Sequence, residues 1–274
     1  MIARLVGSEM CIRDRPSVSA PADMTISCDE DSSPANTGTA TATDNCGSGP
    51  IITTADASAD GTCPQQQVIT RTWTATDECG NSASVDQVIT IIDFTSPIAS
   101  CQDATIAISG TTATLSVAAI DNNSTDNCSA VNLILSKTTF TCSDIGTNTV
   151  TMTATDVCGN SSSCTANVIV EDNTSPAAVC RGATIHLDAN GNATLTVADV
   201  DNGVSDNCGT PNRTLSQSSF ACSDLGINTV SLTATDASGN NSSCTSQVTV
   251  VDSISPTAVC QDITVQLDLS LIHI

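Results

Sequence analysis

Two kinds of residue in this chain have the chemistry and the spacing to act together: carboxylates gathered in Asp- and Asn-rich stretches, and cysteines that return at a regular interval. Asp121 and Asp126 stand among Asn122, Asn123 and Asn127, and Asp199, Asp201 and Asp206 stand beside Asn202 and Asn207. Asp156, Asp172, Asp236 and Asp252 fall near the ends of repeating units. Oxygen-rich loops of this kind suit calcium, which takes about six to eight oxygen ligands at about 2.3–2.6 Å. These aspartates are therefore the candidate calcium ligands. Their spacing matches no EF-hand loop, no Glu is placed as its bidentate ligand, and Asp and Asn are also ordinary turn residues.

Nucleophilic catalysis has little to work with. Once the chain's atypical C-terminal tail is set aside, His186 is the remaining imidazole, and it lies in an alternating, strand-like run. Its counterparts in the neighbouring units are Ala107 and Gln266. A solvent-facing strand histidine accounts for it, so no catalytic residue is assigned and the chain reads as non-enzymatic.

The 15 cysteines include no Cys-x-x-Cys pair. That pattern points to a disulfide framework rather than zinc ligands, and to an oxidising, extracytoplasmic setting. The formal charge of −22 excludes nucleic acid as a partner, because phosphates need Lys and Arg. No stretch approaches the roughly 20 apolar residues that span a bilayer.

The elements that must position these groups come in tandem. Thr74-Ala75-Thr76-Asp77-Glu78-Cys79-Gly80-Asn81 returns as Thr153-Ala154-Thr155-Asp156-Val157-Cys158-Gly159-Asn160 and as Thr233-Ala234-Thr235-Asp236-Ala237-Ser238-Gly239-Asn240. Asp-Asn-Cys recurs at 44–46, 126–128 and 206–208, and Asp-x-x-Ser-Pro at 93–97, 172–176 and 252–256. A fixed period means an array of like modules. The boundaries are 16–97, 98–176 and 177–256, with 257–268 the first strand of a fourth module. Segments 1–15 and 269–274 differ from the rest. Residues 1–15 hold three of the seven basic residues and lack the Thr/Ser/Asp texture that follows, so both ends are read as non-native, adapter-like sequence, along with Cys11 and His273.

Within a module, apolar residues alternate: Ala183, Ile185, Leu187; Ala193, Leu195, Val197; Val230, Leu232, Ala234; Val248, Val250. Period two over short Thr- and Val-rich runs means half-buried strands, here separated by Asn-, Asp- and Gly-bearing turns. No segment shows a helical period. The expected fold is all-β: immunoglobulin-like β-sandwich modules in tandem, as beads on a string. With 3 Phe, 1 Trp and no Tyr, such modules have thin aliphatic cores and need covalent staples.

Asp-Asn-Cys, Phe140-Thr141-Cys142-Ser143-Asp144-Ile145-Gly146, Phe220-Ala221-Cys222-Ser223-Asp224-Leu225-Gly226 and the Thr-Ala-Thr-Asp-x-x-Gly-Asn run together resemble the hyalin repeat, or HYR, domain, in its cysteine-rich form from bacterial surface proteins. The resemblance covers residues 16–268. It implies an immunoglobulin-like fold and a part in extracellular adhesion or architecture without catalysis.

Comparison of the units themselves suggests the pairing. Cys101 and Cys164, like Cys180 and Cys244, are present together where the first unit has Pro21 and Val85, so they are expected to pair. Ser238 replaces a turn cysteine in the third unit, which leaves Cys208 for Cys222 and, by analogy, Cys128 for Cys142. In the first unit, strand order suggests Cys46 with Cys79 and Cys28 with Cys63. Cys158 is then odd, with Cys128 as its alternative partner, and Cys260 awaits a partner beyond the fragment. The expected role is a spacer or adhesion scaffold, secreted or surface-attached, that meets extracellular proteins or surface glycans. A calcium-rigidified rod and the stalk of a larger secreted enzyme are the alternatives.

Overall fold

The computed structural model describes residues 14–45, 49–61, 63 and 66–266. The chain gathers into two compact units. One comprises residues up to 106 together with 113–170, and the other comprises 107–112 together with residues from 171 onward.

In the first repeat, β1 (Ser17–Ser19) pairs with β3 (Thr41–Thr43), with the single helical turn α1 (Pro34–Thr37) between them in sequence. The main sheet runs in the order β2 (Met24–Ser27), β6 (Ser82–Ile92), β5 (Gln67–Thr76), β4 (Ile51–Asp60). The second repeat orders its sheet β7 (Ala104–Ala107), β12 (Ser161–Glu171), β11 (Gly146–Thr155), β9 (Asn132–Leu135), with a ribbon of β8 (Thr112–Thr114) and β10 (Thr139–Thr141). The third repeats this as β13 (Ala183–His186), β18 (Asn241–Val251), β17 (Gly226–Thr235), β15 (Asn212–Leu215), with the ribbon β14 (Asn192–Thr194) and β16 (Ser219–Ala221). The first strand lies parallel to the last, β2 on β6 and β13 on β18, whereas the long hairpins are antiparallel. The chain is thus an all-β array of sandwiches.

Period-two alternation forms these strands because it gives each sheet one buried face. In the third repeat that face supplies Ile185, Val230, Val248 and Val250, which pack with Ala193 and Phe220 from the ribbon. Phe140 and Phe220 anchor their ribbons as the buried aromatics of each core, 0% and 3% exposed. The polar half of their motif shapes the entry to the next strand. Asp144 Oδ2 accepts the Thr141 N–H at 2.8 Å, and Asn148 Nδ2 donates to the Asp144 carbonyl at 2.7 Å. Gly146 then turns the chain at φ 109°, a conformation that side chains disfavour.

The first repeat departs from this pattern. Arg71 occupies the register of Val150 and Val230 and is 3% exposed. Its guanidinium donates to Asp56 twice at 2.8 Å, to Thr37 Oγ1 at 2.8 Å and to the Ser32 carbonyl at 2.9 Å, so the buried charge is matched. Trp73 stands opposite Val85, where the other repeats carry Met152 opposite Cys164 and Leu232 opposite Cys244. An aromatic side chain thus fills the core beside a strand pair that lacks the bridge.

Val197, expected in a strand, instead begins a helical turn, α3 (Val197–Val200), the counterpart of α2 (Val117–Ile120). Four residues are too few to show a 3.6-residue period. The turn is set by Asp199 Oδ2, which accepts from the Thr196 N–H and hydroxyl at 2.7 Å, and it buries Val200.

Candidate functional site

The cysteines show how the repeats are held. Cys101 bonds Cys164 and Cys180 bonds Cys244, each with Cα atoms 5.8 Å apart, tying the start of a repeat to its last strand. Three expected pairs do not form. Cys28 bonds Cys128 and Cys63 bonds Cys158, so these four cysteines link the first repeat to the second. Cys28 follows the edge strand β2 and Cys63 lies in the turn from β4 to β5, on the other side of β6, and each bonds a cysteine of the second repeat instead of the other. Cys128–Cys142 fails for a longer reason. Cys128 precedes β9, which pairs with the end of β11, whereas Cys142 precedes the start of β11, so a ten-residue strand of about 33 Å separates them. The same geometry separates Cys208 from Cys222, and Cys222 is an exposed free thiol, as is Cys260. Cys79, Cys142 and Cys208 are disulfide-bonded. The expected Cys46–Cys79 pair lies outside the described residues because of Cys46. Cys158, expected to be odd, is bonded.

On the second repeat's side, the two cross-repeat bridges sit at loops that the repeated motifs build, Cys128 in Asp-Asn-Cys and Cys158 in Thr-Ala-Thr-Asp-x-x-Gly-Asn. In Thr-Ala-Thr-Asp-x-x-Gly-Asn, the aspartate closes a hairpin turn: Asp156 Oδ1 accepts the Asn160 N–H and Oδ2 accepts Asn160 Nδ2, both at 2.8 Å. Gly159 takes φ 96° to allow the turn. Asn160 Nδ2 also donates to the carbonyl of Asp93 at 3.1 Å, and Asn240 Nδ2 donates in the same way to Asp172 at 2.7 Å. Asp-Asn-Cys forms the neighbouring loop. Asp126 Oδ2 accepts the N–H groups of Cys128 and Ser129 at 3.0 and 2.9 Å, and Asp206 Oδ2 accepts that of Cys208 at 2.8 Å.

These loops assemble two carboxylate trios. One oxygen each from Asp93, Asp126 and Asp156 lie within 4.8 Å of one another, and so do oxygens from Asp172, Asp206 and Asp236. Asp93 Oδ1 accepts the Thr95 N–H at 3.0 Å, while its Oδ2 is buried without a donor. Asp172 repeats this: Oδ1 accepts from Thr174 N at 3.1 Å and Asn207 Nδ2 at 3.2 Å, and Oδ2 is buried without a donor. Burial, and then the charges of Asp126 and Asp156, push Asp93 above its ordinary carboxylate value. Burial opposes ionisation of Asp156 too, but the hydrogen bonds from Asn160 and its turn outweigh it and hold Asp156 below that value.

Of the candidate ligands, Asp126, Asp156, Asp172, Asp206 and Asp236 are thus brought into trios. Asp93 is the member that the Asp-rich stretches did not single out, although its place in Asp-x-x-Ser-Pro marks it as the counterpart of Asp172. Among the described residues Asp121, Asp199 and Asp201 join no trio, and each is engaged locally. Asp121 Oδ1 accepts the Ser124 N–H at 2.9 Å, Asp199 caps its helical turn, and Asp201 accepts from Gly203 and Val204 and pairs with Arg213. Asp252 Oδ1 accepts the Ile254 N–H at 3.0 Å, and among the described residues it joins no such group. His186 is exposed and shares a 2.7 Å hydrogen bond with Ser253 Oγ.

Residues 16–91 match the family described as an HYR-like domain with 4 cysteines, and residues 171–250 match the HYR domain. The chain belongs to the HYR family, whose modules are of the extracellular adhesion type. No curated protein matches the chain. Among solved structures, mouse cadherin-23 EC22-24 is similar at 12% identity and TM-score 0.33, covering 88% of this chain and 100% of that one. Drosophila N-cadherin EC1-4 gives 11% and 0.33, with 88% and 76% covered. The immunoglobulin domains 1-4 of Sidekick-1 give 9% and 0.30, with 74% and 68% covered. Likenesses this weak carry no argument, so the sandwich fold rests on the strands described above. Among the described residues no helix is long and apolar enough to cross a membrane.

Proposed function

We propose that the chain is a non-catalytic extracellular scaffold, an array whose modules space and present surface for weak, repeated contacts with extracellular proteins or surface glycans. The observation that carries this reading is the pair of bridges Cys28–Cys128 and Cys63–Cys158, which join the first repeat to the second. A covalent link between successive modules transmits load without relying on a thin aliphatic core. An array multiplies weak contacts when its geometry is held, because the second contact becomes intramolecular. The HYR membership supports the extracellular setting, and so do the cysteine pairs, which persist where the environment is oxidising.

Single-molecule extension in EDTA tests this proposal. Oxidised protein is expected to release less chain length, and at higher force, than protein reduced with dithiothreitol. Identical extension curves in the two states would remove the load-bearing reading.

A further inference from the structure

We propose that the trio Asp93, Asp126 and Asp156, and its counterpart Asp172, Asp206 and Asp236, each bind one divalent cation of the calcium class. The first observation is the approach of three carboxylate oxygens to within 4.8 Å in each group. Oxygens on opposite sides of one calcium ion stand at most about 5 Å apart, so this is the separation that a single ion spans. The second is the pair of buried, donorless oxygens. Asp93 is 3% and Asp172 4% exposed, and Oδ2 of each has no hydrogen-bond partner. Asp126 Oδ1 and Asp206 Oδ1 share that condition. A buried carboxylate oxygen without a partner is costly, and these four recur at matching positions one repeat apart.

Among the described residues no side chain supplies the missing positive charge. The ion pairs there, Arg71 with Asp56, Lys137 with Asp144 and Arg213 with Asp201, use none of the six carboxylates. Cys28 and Cys128 lie beside Asp93, but their sulfurs are bonded to each other and offer no thiolate. The donors are therefore all oxygen, which selects a hard cation. Calcium fits better than magnesium, because it accepts an irregular shell at longer distance, whereas magnesium demands a tight octahedron. Water and backbone oxygens complete the shell.

The inference goes beyond the scaffold reading and does not depend on it. An ion at the first trio would tie Asp93, just after β6, to the two loops that carry Asp126 and Asp156, beside the Cys28–Cys128 bridge.

Calorimetric titration of the oxidised, chelator-treated chain with calcium chloride tests the sites. Two bound equivalents are expected for the wild type, one for D93N, one for D172N and two for D121N, because Asp121 lies outside both trios. Melting separates an ion site from a structural carboxylate. The D93N replacement keeps an Oδ1 acceptor for Thr95 and removes one of three crowded charges. D93N should therefore melt no lower than wild type in EDTA, and lower than wild type in excess calcium. The proposal is overturned by no heat and no melting shift at millimolar calcium. It is also overturned by undiminished binding in D93N and D172N, or by an equal loss of melting temperature in D93N with and without calcium. If D93N does not fold, the calcium-dependent melt of the wild type decides. The extension measurement above is made in EDTA, so a failed titration leaves its outcome unaffected.

Discussion

Asn160 reaches out of its own hairpin turn to the carbonyl of Asp93, 67 residues earlier, at 3.1 Å. The same amide nitrogen donates to Asp156 Oδ2, so one side chain closes a turn of the second repeat and holds the end of the first. Asn240 does the same for Asp172 in the other compact unit. The final asparagine of the repeated motif thus has a physical task at a junction, beyond the turn itself.

Replacement N160A should therefore destabilise the protein by about 1–3 kcal/mol, because it removes the charge-assisted bond from Nδ2 to Asp156 Oδ2 and the bond to the Asp93 carbonyl, while the backbone N–H bond to Asp156 remains. Chemical denaturation of oxidised protein checks this. A variant within a few tenths of a kcal/mol of wild type would show that the junction is held by the disulfides alone.

The bridge Cys101–Cys164 closes 63 residues, and its removal in C101S/C164S should cost about 4 kcal/mol on the chain-entropy account. That bridge lies within the second repeat, so its loss should lower the melting transition in which this repeat takes part. Calorimetry of the variant reads it directly.

The bridges across the junction should make the first two repeats melt together. Removing both, in C28S/C128S/C63S/C158S, is expected to split one calorimetric transition into two, since each repeat has its own sheet and buried face. A single transition that persists without the bridges would show that noncovalent contacts couple the repeats.

Arg71 and Asp56 give the first repeat a pH signature. The guanidinium bonds hold Asp56 below its ordinary value of 3.8. A depressed native pKa contributes stability that is present above the unfolded value and lost as pH falls through the folded one. R71V inserts the residue type found at this register in the other repeats and leaves Thr37 and Ser32 without their donor, which should cost about 1–3 kcal/mol. Its stability should also fall less steeply than that of wild type below pH 3.8, as acid unfolding will show.

Much of the fold was legible because its signals are local. The alternation of Val230, Leu232 and Ala234 fixes a strand and its buried face regardless of what packs on it, and the glycines of the repeated turns mark where the chain reverses. The joint presence of Cys180 and Cys244 needs only the first and last strands of one sheet to meet, which they do through β13 and β18. The helical turn at Val197 escaped because it is shorter than one hydrophobic period.

The sequence by itself determined the repeats, the strands, the cores and the disulfide that the second and third copies each keep to themselves, since all of these follow from patterns within one module. The tertiary structure alone decided the partners of Cys28, Cys63, Cys128 and Cys158, and it alone gathered Asp93 with Asp126 and Asp156. Those groups belong to different copies of the module. Sequence comparison aligns copies as equivalents, so it reveals which residues correspond, while contact depends on which end of one sandwich lies against which loops of the next.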